Sequence, residues 1–521
     1  MSSVSRRISF LLALVVFLLC FGLTIGTFAI YGQYNLDSDM SSDFVLAQLL
    51  NEEGSILTTH YYYSGDLNIL SPILVYQAAL KIFSSWHVAR TVSIAVLLLI
   101  MTASLFFLGR SVGISGTTTL LCAAALVLPI SKYHAFTLIY GSFYTVWVAL
   151  TFFELGLIFR MRKKRPLEPI LLIVFGVLGG LSGVRMLMVC GAPLLLACVI
   201  CFFSEVRTAK NLREITALPA FPVFAGSLLC VASNLIGYVI NDKILSNIFH
   251  FMEFDDMVLR PLAANRLPDQ IIAVMRFLGY REESILVSTE GIFSLFTVAL
   301  PVLGVICLIL LLKMNLTSEQ RLLASFVLTG VTTGMVIDFS VILDAQDIFS
   351  ISYFMPALLL LIYAVFWFLE RFQDRYVILR MLPMLLGVGL FLLGFSIYKD
   401  QEVNTYDDEM TIIADTILAE DCNEGYATYW LANVLTEISD GKIDVYTVDD
   451  WETGQLDTWL QREDHFTSEP KGRVFAIFSQ EDYDNGIPGC DTDHLIYSSE
   501  KAYVCLYENV QEFHELRGDT Y

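Results

Sequence analysis

The feature that most restricts this chain is a succession of apolar blocks, each near the length at which a helix crosses about 30 Å of hydrocarbon. Hydropathy places them at 8–31, 87–109, 115–130, 136–159, 169–184, 186–203, 217–240, 291–312, 322–341, 349–369 and 381–398. Inside a bilayer the backbone must satisfy its own polar groups, so such blocks are read as helices. The fold class that follows is a polytopic α-helical membrane protein with about eleven transmembrane helices, the third to sixth short or interrupted. Composition agrees. The chain is 55% hydrophobic and 16% charged, against about 25% charged in soluble proteins. Arg6 and Arg7 precede the first block, whose apolar core is longer than that of a signal peptide and lacks a small-residue cleavage site; it is expected to stay as an anchor.

Net charge divides the chain. From Lys399 onward there are 29 acidic and 7 basic residues, so this tail holds the whole deficit of −21 and the rest is near neutral. Two bodies are expected: 1–398 in the membrane, with outer loops 32–86 and 241–290, and 399–521 as a small acidic, soluble α/β domain. The tail segment "YDDEMTIIADTILAEDC" has helical periodicity, and "GYATYW", "KIDVYTV", "RVFAIFS", "HLIYSS" and "AYVCLYE" are strand-like. No basic, aromatic surface pattern suggests nucleic acid.

Lys and Arg in short loops set the orientation. "RMRKKR" at 160–165, then Arg207, Lys210 and Arg213, then Arg371, Arg375 and Arg380, all fall on the side of Arg6 and Arg7 if there are eleven spans. That places the N-terminus in the cytoplasm of a multi-pass plasma-membrane protein, with the tail outside. Of the ten cysteines, seven lie in apolar blocks as small hydrophobes. Cys422, Cys490 and Cys505 lie in the outer tail, where a Cys422–Cys490 disulfide is favoured over Cys490–Cys505 and three free thiols are the alternative.

The first outer loop opens with "YGQYNLDSDMSSDF", three carboxylates where the chain leaves the bilayer. Ser41 or Ser42 is expected to cap a short helix that Gly54 ends, with Asp43 as a helix-start acid. "ILSPILVYQAALKIFSSWH" follows as an amphipathic interfacial helix. Asp37 and Asp39 flank one Ser. Such a pair can deprotonate a hydroxyl or hold a divalent cation such as Mg or Mn; the plain alternative is a solvated loop. Arg185, at a glycine-rich break, either meets an anionic ligand or snorkels to the headgroups. Lys243, His250, Arg260, Arg266, Arg276 and Arg281 in the second outer loop are candidate phosphate contacts as a group. His60 with Tyr61, Tyr62 and Tyr63 forms either a sugar-stacking platform or an interfacial aromatic belt. Arg90 is assigned to interface anchoring, and Asp338 and Asp344 to capping.

This layout resembles the GT-C superfamily of membrane glycosyltransferases, which includes the protein mannosyltransferases and the lipid A aminoarabinose transferase. The carrying elements are one span, "NLDSDM" at its outer end, a short helix, an amphipathic segment, many spans and a soluble tail. The resemblance implies a sugar transferred from a polyprenyl-phosphate donor to an extracytoplasmic glycan, lipid or protein acceptor at the membrane lipid surface. It implies a catalytic or metal-linked role for Asp37 or Asp39. The mannosyltransferases carry adjacent Asp-Glu where this chain has Asp-Ser-Asp. The segment from Ser41 to Phe83 is also similar to bacterial multi-span proteins that carry no assigned activity. Two other classes remain beside this: a transporter or flippase of lipid-linked envelope material, which needs related halves and buried mid-span polar groups, and a non-enzymatic envelope assembly protein.

Overall fold

The computed structural model describes residues 3–67, 69–163, 166–207, 211–218, 220–252, 267–282, 284–340, 353–372, 382–399, 405–490 and 492–518. Every apolar block contains a helix, but the helices differ in reach. Six are long and apolar enough to cross a membrane: Arg7–Asn35, Trp86–Val112, Phe221–Asn247, Thr289–Leu312, Ser318–Ile337 and Met355–Phe372. A seventh path is the pair Lys132–Tyr140 and Thr145–Arg160, bent by 79°. Gly116–Leu126, Leu167–Gly180, Leu187–Phe203 and Leu385–Lys399 are apolar but shorter. By length six or seven of these paths cross fully and four are shorter, which together make eleven apolar paths among the described residues. The chain is a multi-pass membrane protein.

Local sequence explains the breaks. Gly141 and Ser142 separate the bent pair, and Ser142 takes a left-handed backbone (φ 57°) steadied by its hydroxyl donating to Ile139 O at 3.0 Å. "GGLSG" ends the helix Leu167–Gly180, with Gly183 at φ 73°. That helix lies backbone to backbone against Phe221–Lys243. A Cβ on Gly180 would come within 2.0 Å of Asn234 O, and one on Gly237 within 2.1 Å of Val177 O. Small residues at such crossings let membrane helices approach closely where no hydrophobic effect drives them together.

Polar contacts sort the bundle into two ends. Arg162 pairs with Glu319 at 2.7 Å, Arg371 donates to Gln320, and Gln320 donates to Val112 O. These loops therefore share one end, as the charge pattern requires. At the other end lie the first outer loop, residues 241–252 and the tail.

The tail carries a five-stranded sheet in the order Asp444–Val448, Glu424–Thr428, Val474–Ser479, Ala502–Tyr507, Leu495–Ser498. The first three are mutually parallel and the last two antiparallel to their neighbours. Thr405–Ala419 and Tyr429–Ile438 supply helices. All five strand-like segments are strands, although Tyr429 and Trp430 of "GYATYW" begin a helix. The expected Cys422–Cys490 disulfide is not formed. Cys422 is buried, and its thiol donates instead to Arg473 O at 3.1 Å across the sheet end.

Two expectations for the first outer loop are corrected. The helix Ser38–Glu53 is capped by Asp37 rather than Ser41 or Ser42, because the Asp37 carboxylate accepts from Met40 N at 2.8 Å. The segment meant to lie in the interface is helical only over Ile73–Leu80, and Tyr76 and Trp86 face protein. Tyr76 packs on Phe44 at 4.5 Å between ring centroids, and burial there outweighs a place among headgroups.

Candidate active site

The first span ends in a tight turn. Gly32 lies so close to the Phe28 ring that a Cβ would approach it to 2.6 Å. A 3₁₀ turn, Gly32–Asn35, and extended Leu36 then swing the chain back over the bundle. This brings Asp37 and Asp39 to the head of the Ser38–Glu53 helix, half-buried under the tail.

The tail closes over them through the Tyr429–Ile438 helix. The Tyr429 hydroxyl donates to Asp39 Oδ1 at 2.5 Å, and Ser38 Oγ donates to Tyr429 O. One side of the pair is thus fixed by a residue some 390 positions away in sequence. Beneath them Arg90, with no exposed surface, is held bidentately by Glu437 at 2.5 and 2.7 Å. Arg90 also donates to Met40 O at 2.9 Å and covers the Phe44 ring at 4.2 Å. The assignment of Arg90 to interface anchoring is therefore corrected: the buried carboxylate of Glu437 draws it inward. Trp86 N donates to Asp440 Oδ1 at 2.7 Å beside this pair.

Burial governs the acids. It pushes Asp37 up to about 7; Asp39 adds repulsion, while the Met40 N–H and Arg90 pull the other way. Asp39 is also raised by burial, against the Tyr429 hydrogen bond that lowers it. Asp43 rises to about 7 for the same first reason, with Arg90 opposing. It is thus a member of this electrostatic cluster rather than a solvated helix-start acid. Burial and then the Asp39 charge raise the Tyr429 hydroxyl, so it stays a proton donor to Asp39. Among the described residues the second oxygens of Asp37 and Asp39 have no side-chain or backbone partner. A carboxylate near 7 with a free oxygen has the properties of a general base at neutral pH.

The other candidates fall into separate groups. Arg185 forms an ion pair with buried Asp66 at 2.8 Å and lies 5.0 Å from the Trp147 ring centroid. Tyr62 and His250 are brought together, their rings 4.8 Å apart in a two-residue parallel ladder, with Phe466 of the tail on the Tyr62 ring at 4.8 Å. His60 is exposed and bonded to Glu53 at 2.8 Å, which raises its pKa. Lys243 is exposed beside Asp242 at 2.9 Å. Arg260, Arg266 and Asp344, and the side chain of Asp338, lie outside the described residues. A cavity of about 650 Å³ at the same end of the bundle is lined by Lys132, Arg276, Arg281 and Lys399, with Tyr133 and Glu282 among its walls. Arg276 there is bidentate to Glu282.

Sequence reasoning missed Tyr429, Glu437 and Asp66. Glu437 had a local signal: it is an acid in the apolar turn "LANVLTEI". Tyr429 had none, because its partner comes from the opposite end of the chain. Glu154 was missed too. It is a buried carboxylate inside the helix Thr145–Arg160, where few mid-span charges were expected.

No protein-family profile matches the chain, and no curated protein is significantly similar in sequence. Solved structures do match in shape. ArnT from Cupriavidus metallidurans, bound to undecaprenyl phosphate, superposes with a TM-score of 0.57 at 12% identity, covering 97% of this chain and 98% of that one. The chain has the GT-C fold. An oligosaccharyltransferase from Archaeoglobus fulgidus, in complex with Zn and sulfate, matches with a TM-score of 0.50 at 9% identity over 88% of this chain and 67% of that one. The same oligosaccharyltransferase tethered to an acceptor peptide gives 0.50 at 10% identity, over 90% and 69%. At these identities the GT-C likeness establishes architecture; the chemistry of this chain rests on its own residues.

Proposed function

We propose that this GT-C protein is a membrane glycosyltransferase that moves a sugar from a polyprenyl-phosphate donor to an acceptor hydroxyl at the extracytoplasmic face. The observation that carries the reading is the acid pair Asp37 and Asp39, held where the first span ends, with Asp37 near 7 and an oxygen of each uncommitted. The undecaprenyl phosphate of the ArnT structure supports the donor class, and the peptide-tethered oligosaccharyltransferase supports an outer acceptor.

In this reading Asp37 or Asp39 takes the proton of the acceptor hydroxyl. The acceptor oxygen bonds to the anomeric carbon as the bond from that carbon to the phosphate oxygen breaks, with inversion. Polyprenyl phosphate leaves carrying the electron pair. The leaving phosphate needs cations. Arg185 and Asp66 balance one to one, whereas the cavity lines Lys132, Arg276, Arg281 and Lys399 against Glu282 and Glu290, an excess of positive charge, and is assigned to that role. Tyr62 and His250, stacked together, lie beside the tail as a surface for the acceptor. If a divalent cation takes part, the uncommitted oxygens of Asp37 and Asp39 are its ligands; they do not join a third ligand in a close cluster among the described residues.

The orientation follows the charge map: N-terminus in the cytoplasm, tail outside. The test is sugar transfer from a radiolabelled lipid-linked donor by membranes carrying Asp37→Asn or Asp39→Asn. Loss of the base lowers transfer by about 10²–10⁴ with normal expression. Full transfer by both variants would sink the assignment.

A further inference from the structure

Apart from the acids, three helices bring two thiols and a carboxylate together inside the bundle. Glu154 comes from Thr145–Arg160, Cys190 from the π-helical turn Leu187–Gly191, and Cys230 from Phe221–Lys243. One ligand atom from each lies within 4.8 Å of the other two, and all three residues are buried. Cys230 Sγ donates to Glu154 Oε2 at 3.3 Å. Asn234, one turn after Cys230 and without exposed surface, donates through Nδ2 to Cys230 O at 3.0 Å, with the same nitrogen 3.4 Å from Glu154 Oε1 and 3.6 Å from Cys230 Sγ. Its Oδ1 is buried with no hydrogen-bond partner. A half-turn of the amide, at the expense of the bond to Cys230 O, brings this oxygen to the carboxylate and thiol.

We infer that Glu154, Cys190, Cys230 and Asn234 form a binding site for a thiophilic divalent cation, zinc first among them, inside the membrane bundle. The ligand types fit. Two thiolates and the Glu154 carboxylate are ligands that zinc takes, and the Asn234 carbonyl oxygen makes a fourth. Ligand atoms around tetrahedral zinc are about 3.3–3.8 Å apart, given bonds of about 2.0–2.3 Å. Cys230 and Glu154 are already at that spacing, and the remaining contraction is about 1 Å.

Three features build the site rather than leave it to chance. A π-turn inserts one residue into a helix and re-aims the side chains around it, and it recurs at functional sites. Here it carries Cys190. The glycine crossing between Leu167–Gly180 and Phe221–Lys243 fixes Asn234 by its own backbone. Cys230 and Asn234 stand four residues apart, on one face of one helix. Binding releases two thiol protons, so occupancy falls as pH falls. The ion would tie the broken middle helices together, a stabilising role independent of the chemistry at Asp37.

The full chain, purified in detergent and stripped with chelator, is loaded with zinc or with cobalt, desalted, and measured by elemental mass spectrometry and absorption. About one equivalent of zinc and a thiolate-to-cobalt charge-transfer band are expected. Both are lost in Cys190→Ser/Cys230→Ser and kept in Asp37→Asn/Asp39→Asn, which separates this site from any ion at the outer acids. If the serine variant does not fold, the unaltered protein answers by thiol labelling with a membrane-permeant maleimide. Zinc then slows modification of Cys190 and Cys230 at least tenfold. No bound metal, equal binding by the serine variant, or labelling unaffected by zinc would each overturn the proposal and leave a hydrogen-bonded core cluster.

Discussion

Replacing Glu437 with Gln should release the tail from the membrane helices. The pair it breaks has side chains 0% and 2% exposed and two contacts of 2.5 and 2.7 Å. Removing one partner of a buried pair costs about 3–5 kcal/mol, because the other charge stays buried without compensation. Gln keeps one acceptor, and Arg90 keeps Met40 O and the Phe44 ring, so the lower end applies, about 3 kcal/mol. At about 1.4 kcal/mol per factor of ten, the undocked state rises about 10²-fold. Trypsin at low concentration reads this, since cleavage tracks the open population when reclosing is fast. Arg462, held against Glu52 at 3.3 Å, is a reporter site between tail and outer loop. Its cleavage in Glu437→Gln should accelerate about 10²-fold, while Arg90→Met/Glu437→Leu, apolar on both sides, should fall back toward the original rate. Cleavage of Glu437→Gln within twofold of the original would refute the idea that this pair locks the tail.

Three further outcomes are expected, along with the loss of transfer on removing Asp37 or Asp39. In the pH dependence of transfer, the rate should rise as pH increases through about 7, where Asp37 loses its proton. Tyr429→Phe removes the bond that lowers Asp39, so Asp39 titrates higher and repels Asp37 less. The limb should move to higher pH if Asp39 is the base and to lower pH if Asp37 is, and an unmoved limb would show that Tyr429 does not act on the acids. Arg185→Met should leave Asp66 buried and unpaired, lowering thermal stability, and Asp66→Asn in the same chain should restore most of it; equal loss in the double variant would contradict the pairing. Lys132→Ala/Arg281→Ala should raise the KM for the lipid-phosphate donor more than it lowers kcat, and an unchanged KM would remove this cavity from the reaction.

What the sequence revealed followed from local pattern. Hydropathy located every apolar helix, and alternation located all five strands of the tail, because burial imposes a period on neighbouring residues. Gly54 marked the end of the Ser38–Glu53 helix through the left-handed backbone it adopts there, φ 65°. Span length was less legible. Gly141–Ser142 breaks a helix that hydropathy alone runs together as 136–159, whereas "GGLSG" is legible as a break between two short blocks. The acid pair could be found because both residues share one short loop. Its environment could not, since Arg90, Tyr429 and Glu437 lie 50 or more positions away and no periodicity links them. Reading Arg90 as an anchor failed for that reason: a cation near a span end faces lipid or protein according to a partner in another part of the chain.

The tail therefore has a part in making the acids what they are. Asp37 and Asp43 are raised chiefly by burial, and part of that burial is the Tyr429–Ile438 helix packed on Ser38–Glu53. The sign of the linkage follows. The folded state holds protons near pH 7 that the unfolded chain gives up near 4, so these two groups favour folding fully below about pH 4, and that contribution is lost as pH rises through about 7. At neutral pH the docked tail then holds ionised acids in a place that disfavours them, and the Arg90–Glu437 pair and the Trp86–Asp440 bond are what oppose its release. A tail that only positioned an acceptor would not need to bury carboxylates. One that raises a base to its working range must do so, and the buried Arg90–Glu437 pair and the Trp86–Asp440 bond fasten it in place.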